Sequence, residues 1–271
     1  MRAYPLRKFA ARTGAAVLVS LGLVAGIAGV PATAQSALPV TYTVLGDSYS
    51  AGSGGGAETG LCLQSPNGYG TDYAAATGRV MANLACYGAT TDSVQALQVP
   101  RIPATAKLVT LTVGGNDIGS GAVSAACLAA PQSPTCTAAL TASLQKLTQL
   151  PTKIKSLVKA IKDKVPAAKI VFLGYPSLFE PNNMAAAGFP ADQVAAARQM
   201  NGAAVLLNGV IAFSALTNGA RYVPVMWTFA GHGIPSADQW IVGPGAGNPF
   251  VFHPNAAGYL HGYAAALKIF L

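Results

Sequence analysis

The stretch "TYTVLGDSYSAGSGGG" at residues 41–56 decides how the rest of the chain is read. Its β-branched, apolar half stops abruptly at Gly46-Asp47-Ser48, the pattern of a strand end followed by a turn. Asp and Ser at such a place have two readings. Their oxygens can cap a following helix by accepting its unpaired backbone N–H groups. A serine held on a strand-to-helix turn can instead be a nucleophile.

Working outward, four more runs resemble the first: "RVMANLAC" (79–86), "KLVTLTVGG" (107–115), "KIVFLG" (169–174) and "RYVPVMW" (221–227). The third and fourth strands in this series are apolar through their centres, as strands covered on both faces are. Helical patterns at residues 68–78, 138–165 and 191–216 lie between them. In the second of these, Leu144, Leu147, Leu150, Ile154, Leu157, Val158 and Ile161 recur at helical spacing with lysines opposite. Pro151 is expected to kink or divide it. A last helix is expected from Pro254, a residue tolerated at the first helical position.

Strands alternating with helices predict a three-layer α/β/α sandwich around a mostly parallel five-stranded sheet. Ligands of such sheets bind beyond the carboxyl ends of the strands. Those places hold "GDSYS", "CYGATT" and "GGNDIG".

The first 34 residues read as a secretory signal peptide: Arg2, Arg7, Lys8 and Arg12, then an apolar stretch at 14–30, then "ATA" before Gln35. The chain carries 17 Lys plus Arg against 9 Asp plus Glu, and four of the basic residues lie in this leader. Residues 35–271 are then one domain with a net charge of +4. Seven of its basic residues fall between Lys146 and Lys169, mostly on the polar side of one predicted helix. No nucleic-acid module accompanies them, so a solvated helix face is expected rather than a nucleic-acid surface.

Four cysteines in an exported chain predict two disulfides. Counting leaves three connectivities open. The economical one joins Cys62 to Cys86 and Cys127 to Cys136, each closing a loop beside a predicted strand end. Neither spacing is that of a zinc site, and the three histidines form no HExxH, so no metal and no cofactor are expected.

"GDSYSAG" at 46–52, Gly88 in "CYGATT", "GGND" at 114–117 and "HPN" at 253–255 stand in one order along nearly the whole of this domain. Together they resemble the SGNH (GDSL-type) hydrolases, and "TLTVGGNDIG" and "ACYGATTDSV" are similar to secreted actinobacterial lipases and esterases. The resemblance implies the flavodoxin-like fold of that family and an acyl-enzyme mechanism on esters. Ser48 would be the nucleophile, His253 the base, and Ser48, Gly88 and Asn116 the oxyanion donors. The chemistry suits the residue types. Gly88 lacks a side chain, so its N–H can approach a reacting oxygen. The Asn116 amide donates without carrying charge. Asp47 and Asp117 read as loop organisers, His232 as structural with a place at the site as the alternative, and His261 as a surface or packing residue.

Many relatives carry an aspartate three residues before the histidine, where this chain has Phe250. The resemblance implies a main-chain carbonyl in its place, so the Phe250 C=O is expected to hold the histidine Nδ1–H. Asp238, in the loop leading to His253, is the competing orienter.

The leading reading is a secreted, extracellular hydrolase of carboxylic, lipid or fatty-acyl, esters. A monomer is expected, with a small-molecule or lipid ester as partner and transient contact with a lipid interface. A carbohydrate acetylesterase and a catalytically silent binding module are the alternatives on the same fold. A nucleotide site fails, because "GSGGG" forms neither a GxGxxG nor a P-loop. A penicillin-type serine site at "SLQK" or "SLVK" fails for want of "SDN" and "KTG".

Overall fold

The computed structural model describes residues 38–245 and 247–271. The expected leader, residues 1–34, lies outside them. Five strands form one parallel sheet in the order β2-β1-β3-β4-β5. They are β1 (Tyr42–Gly46), β2 (Met81–Asn83), β3 (Leu108–Thr112), β4 (Lys169–Leu173) and β5 (Arg221–Val223). β1 and β3 pair in register from Tyr42 opposite Leu108 to Gly46 opposite Thr112, so their carboxyl ends finish level. β3, β4 and β5 are shorter than their apolar runs, because the last residues of each run leave the sheet to begin a loop.

The period of two divides each strand between two cores. Leu45, Val109, Leu111, Ile170 and Phe172 face one layer, where they meet Leu150, Ile154, Leu157 and Ile161 of α6 (Leu150–Lys164) and Leu207 and Ile211 of α8 (Ala191–Thr217). Tyr42, Val44, Val171 and Leu173 face the other, against Tyr69 and Tyr73 of α2 (Tyr69–Thr77) and Tyr263 and Leu267 at the C-terminus. The lysines of α6 at 155, 159, 162 and 164 are exposed, as a solvated face requires. α8 is long and apolar enough to cross a membrane by length and composition, yet one side of it packs into the first core.

Pro151 does divide the long helical pattern. α5 (Pro134–Leu147) ends one turn before it, and Pro151 sits in the first turn of α6, where its missing N–H has no partner to lose. The last helix departs from expectation. Asn255, not Pro254, caps it, accepting from the Gly258 N–H at 3.0 Å. Pro254 instead pairs with Ile241 in an isolated antiparallel bridge. The helix runs on through a π-helical segment (Gly258–Ala264) into α9 (Ala265–Phe270).

A third cluster lies over the carboxyl end of the sheet. Val123 and Cys127 of α4 (Ser120–Ala129), Cys136 of α5, Met184 of α7 (Pro181–Ala186) and Val194 and Met200 of α8 enclose Phe179 and Phe252. The disulfides are Cys62–Cys86 and Cys127–Cys136, the economical pairing. The first fixes the loop after β2, and the second joins α4 to α5 inside the third cluster.

Candidate active site

β1 ends in a turn that admits little variation. Gly46 has φ +116°, and a Cβ there would lie 2.2 Å from the Thr112 carbonyl oxygen. The buried Gln98 side chain holds this glycine at two points, accepting from its N–H at 2.7 Å and donating to its C=O at 2.9 Å. Asp47 caps the single turn α1 (Ser48–Ala51), accepting from the Tyr49 N–H at 3.1 Å. Ser48 therefore opens a helical turn directly above the sheet. The cap in the opening stretch is Asp47, and Ser48 follows it as the first helical residue.

The Ser48 hydroxyl lies 2.8 Å from His253 Nε2, across 205 residues of sequence. A short antiparallel exchange holds the histidine loop: the Val242 N–H donates to the His253 carbonyl and the Phe252 N–H to the Val242 carbonyl, both at 2.8 Å. Tyr49 donates its hydroxyl to the Phe252 carbonyl. His253 Nδ1 lies 3.2 Å from the carbonyl oxygens of both Phe250 and Val251. Asp238 is not brought to His253. Its carboxylate accepts from Trp240 Nε1 at 3.1 Å and lies 3.3 Å from His232 Nδ1. His232 stacks flat on Trp240 at 3.5 Å, outside the residues lining the cleft. His261 also lies beside Trp240.

Ser48, Gly88, Asn116 and His253 line one cleft of about 330 Å³. Gly88 has φ +76°, a left-handed conformation that glycine adopts without strain, and nothing lies within 4 Å of where a Cβ would stand. Among the described residues the backbone N–H groups of Ser48 and Gly88 have no acceptor. Asn116 uses one side-chain N–H on the Ala89 carbonyl at 2.9 Å, and an amide carries a second. Asp117 ties the same two loops together, accepting from the Thr91 N–H at 2.9 Å and the Thr91 hydroxyl at 2.6 Å. The cleft beyond is walled by apolar or small side chains, among them Ile118, Val123, Leu178, Met200, Ala204 and Phe252.

Burial lowers the His253 imidazole below the ordinary histidine value, which keeps it neutral and able to accept a proton. Burial also raises the Asp47 carboxyl to about 6, against the opposing bonds from Tyr175, Thr112 and the Tyr49 N–H. Tyr175, Tyr49 and Tyr87 escaped the reading of the sequence. Tyr175 stands just beyond the carboxyl end of β4, which was the available signal. Tyr49 and Tyr87 adjoin Ser48 and Gly88. Among the described residues no group of His, Cys, Asp or Glu could hold a metal ion.

Fold and cleft define a parallel α/β protein whose site lies at the carboxyl ends of β1, β2 and β3. Residues 44–260 match the model of the GDSL-like Lipase/Acylhydrolase family, and the chain belongs to that family. It is accordingly a carboxylic ester hydrolase. A lipase of Streptomyces rimosus is 32% identical over 95% of this chain and 97% of its own. Lipase 1 of Streptomyces coelicolor is 33% identical over 93% and 96%. Among solved structures, phospholipase A1 from Streptomyces albidoflavus NA297 superposes with a TM-score of 0.77 at 34% identity, covering 86% of this chain and 99% of its own. The extracellular lipase of Streptomyces rimosus does so with 0.77 at 33%, covering 85% and 99%.

Proposed function

We propose that the protein is an exported serine hydrolase of lipid or fatty-acyl esters, with Ser48 as nucleophile and His253 as base. The observation that carries this reading is the 2.8 Å contact between Ser48 Oγ and His253 Nε2 at the mouth of an apolar cleft. In the tautomer that makes Nε2 the acceptor, Nδ1–H donates to the carbonyls of Phe250 and Val251. Ser48 Oγ attacks the ester carbonyl carbon as its proton passes to Nε2. The oxyanion is met by the N–H groups of Ser48 and Gly88 and the side-chain amide of Asn116. Collapse breaks the C–O bond, and the departing alkoxide takes the proton from His253. Water then attacks the acyl-enzyme by the same route, releasing the acid and restoring Ser48.

The apolar walls support an acyl chain rather than a sugar as the group that fills the cleft. Two disulfides and the pattern of residues 1–34 support export. The test is hydrolysis of p-nitrophenyl acetate, butyrate, octanoate and laurate, with Ser48→Ala and His253→Ala alongside. The longer esters are expected to give the higher kcat/KM, and each variant to lose at least about a thousandfold. Preference for acetate would point to a deacetylase. No hydrolysis of any ester would point to a binding module.

A further inference from the structure

We propose that Tyr87 and Tyr49 form an aromatic clamp that stabilises the protonated imidazole of His253 where a carboxylate would otherwise do so. The proposal deepens the reading of His253 as the base and rests on it. Tyr87 stacks against the His253 ring at 5.6 Å with 28° between planes. Tyr49 lies at 5.1 Å and 38° on the same imidazole, while the Phe250 ring stands at 82° to it, 6.1 Å away, and is left out of the clamp. The reaction turns this imidazole into a cation twice per turnover. Among the described residues its Nδ1 meets two carbonyl oxygens, which fix the tautomer but offer a fraction of a carboxylate's charge. The negative faces of aromatic rings attract a cation within about 6 Å, which is where Tyr87 and Tyr49 stand.

Other charged groups near the ring are already engaged. Glu58 acts on His253 through space and is held by the Gly54 and Gly56 N–H groups at 2.8 and 2.9 Å. Asp47, on the other side of Ser48, spends its oxygens on Tyr175, Thr112 and the Tyr49 N–H. Tyr87 is the member open to test. It is 45% exposed, and the Cys62–Cys86 disulfide anchors the residue before it, so replacing it removes a ring without opening a core.

The experiment is an NMR titration of the His253 Cε1–H in the purified protein, its signal assigned by its loss in His253→Gln. Wild type is compared with Tyr87→Leu, Tyr87→Phe and Tyr87→Trp. Removing the ring face in Tyr87→Leu is expected to lower the His253 pKa by about half a pH unit, with kcat down about fivefold. Tyr87→Phe is expected to hold the pKa at the wild-type value, and Tyr87→Trp to hold or raise it. A ring that merely shields His253 from water would act in the opposite sense, because opening the site to solvent raises the pKa. A rise in Tyr87→Leu, or no change, would overturn the clamp. The titration needs no substrate, so it fails or succeeds separately from the ester assays that test the hydrolase reading.

Discussion

Tyr175 donates its hydroxyl to the carboxylate of Asp47, and through that one oxygen two loops of the cleft are joined. The same hydroxyl accepts the Gly115 N–H at 3.2 Å. Asp47 immediately precedes Ser48, and Gly115 immediately precedes Asn116. The bond therefore sets the distance between the proposed nucleophile and the proposed oxyanion donor, from a residue that touches neither reacting atom.

Replacing Tyr175 with Phe leaves the ring packed and removes only this bridge. The buried Asp47 and the Gly115 N–H each lose a partner, which costs about 1–3 kcal/mol of stability. Steady-state kinetics on an octanoate ester are expected to show kcat reduced about tenfold with KM nearly unchanged. A change in KM alone would mean that Tyr175 shapes the acyl cleft instead.

Asp47 also makes stability depend on pH. Its carboxyl is raised from 3.8 to about 6 in the fold, so the folded state binds this proton more tightly than the unfolded chain. The contribution is fully present below pH 3.8 and is lost as pH rises through about 6, amounting to about 3 kcal/mol in all. Urea midpoints measured from about pH 4 to about pH 7 should fall less steeply in Asp47→Asn than in wild type. Equal slopes would remove Asp47 as their source.

The Cys62–Cys86 bond closes a loop of 24 residues, and Cys86 is two residues from Gly88. Loop-closure entropy puts the cost of replacing both cysteines by alanine at about 3 kcal/mol. Calorimetry should show this as a lower Tm. Because the bond holds the Gly88 turn, kcat is expected to fall in the folded double variant as well.

Asp238 carries the opposite expectation. Its carboxylate serves Trp240 and His232 rather than His253. Asp238→Ala should keep kcat within about twofold of wild type, because the carbonyls of Phe250 and Val251 still hold Nδ1. A loss of several orders of magnitude in a folded variant would contradict the carbonyl-oriented pair.

The sheet was legible because β3 and β4 are apolar through their centres and the helix between them, α6, carries a clear helical period. The carboxyl-end rule then located the stretches "GDSYS", "CYGATT" and "GGNDIG", and the resemblance to the SGNH hydrolases singled out Ser48, Gly88 and Asn116 within them. α4 was not legible, since "SGAVSAACLA" consists of small residues with no periodic face. Pro254 misled because proline suits a first helical turn, while the cap was decided by Asn255 and by a bridge to Ile241 that local sequence does not reveal. Tyr175, Tyr49 and Tyr87 act through contacts between segments far apart in sequence, which their places beside strand ends and site residues do not reveal.

The measurement that tests the central claim most directly is intact-mass spectrometry after exposure to a fluorophosphonate, which phosphonylates an activated serine with loss of fluoride. Wild type should gain one adduct, Ser48→Ala none, and His253→Ala an adduct only at a greatly reduced rate. A folded wild-type protein without an adduct, or an adduct that persists in Ser48→Ala, would contradict the account.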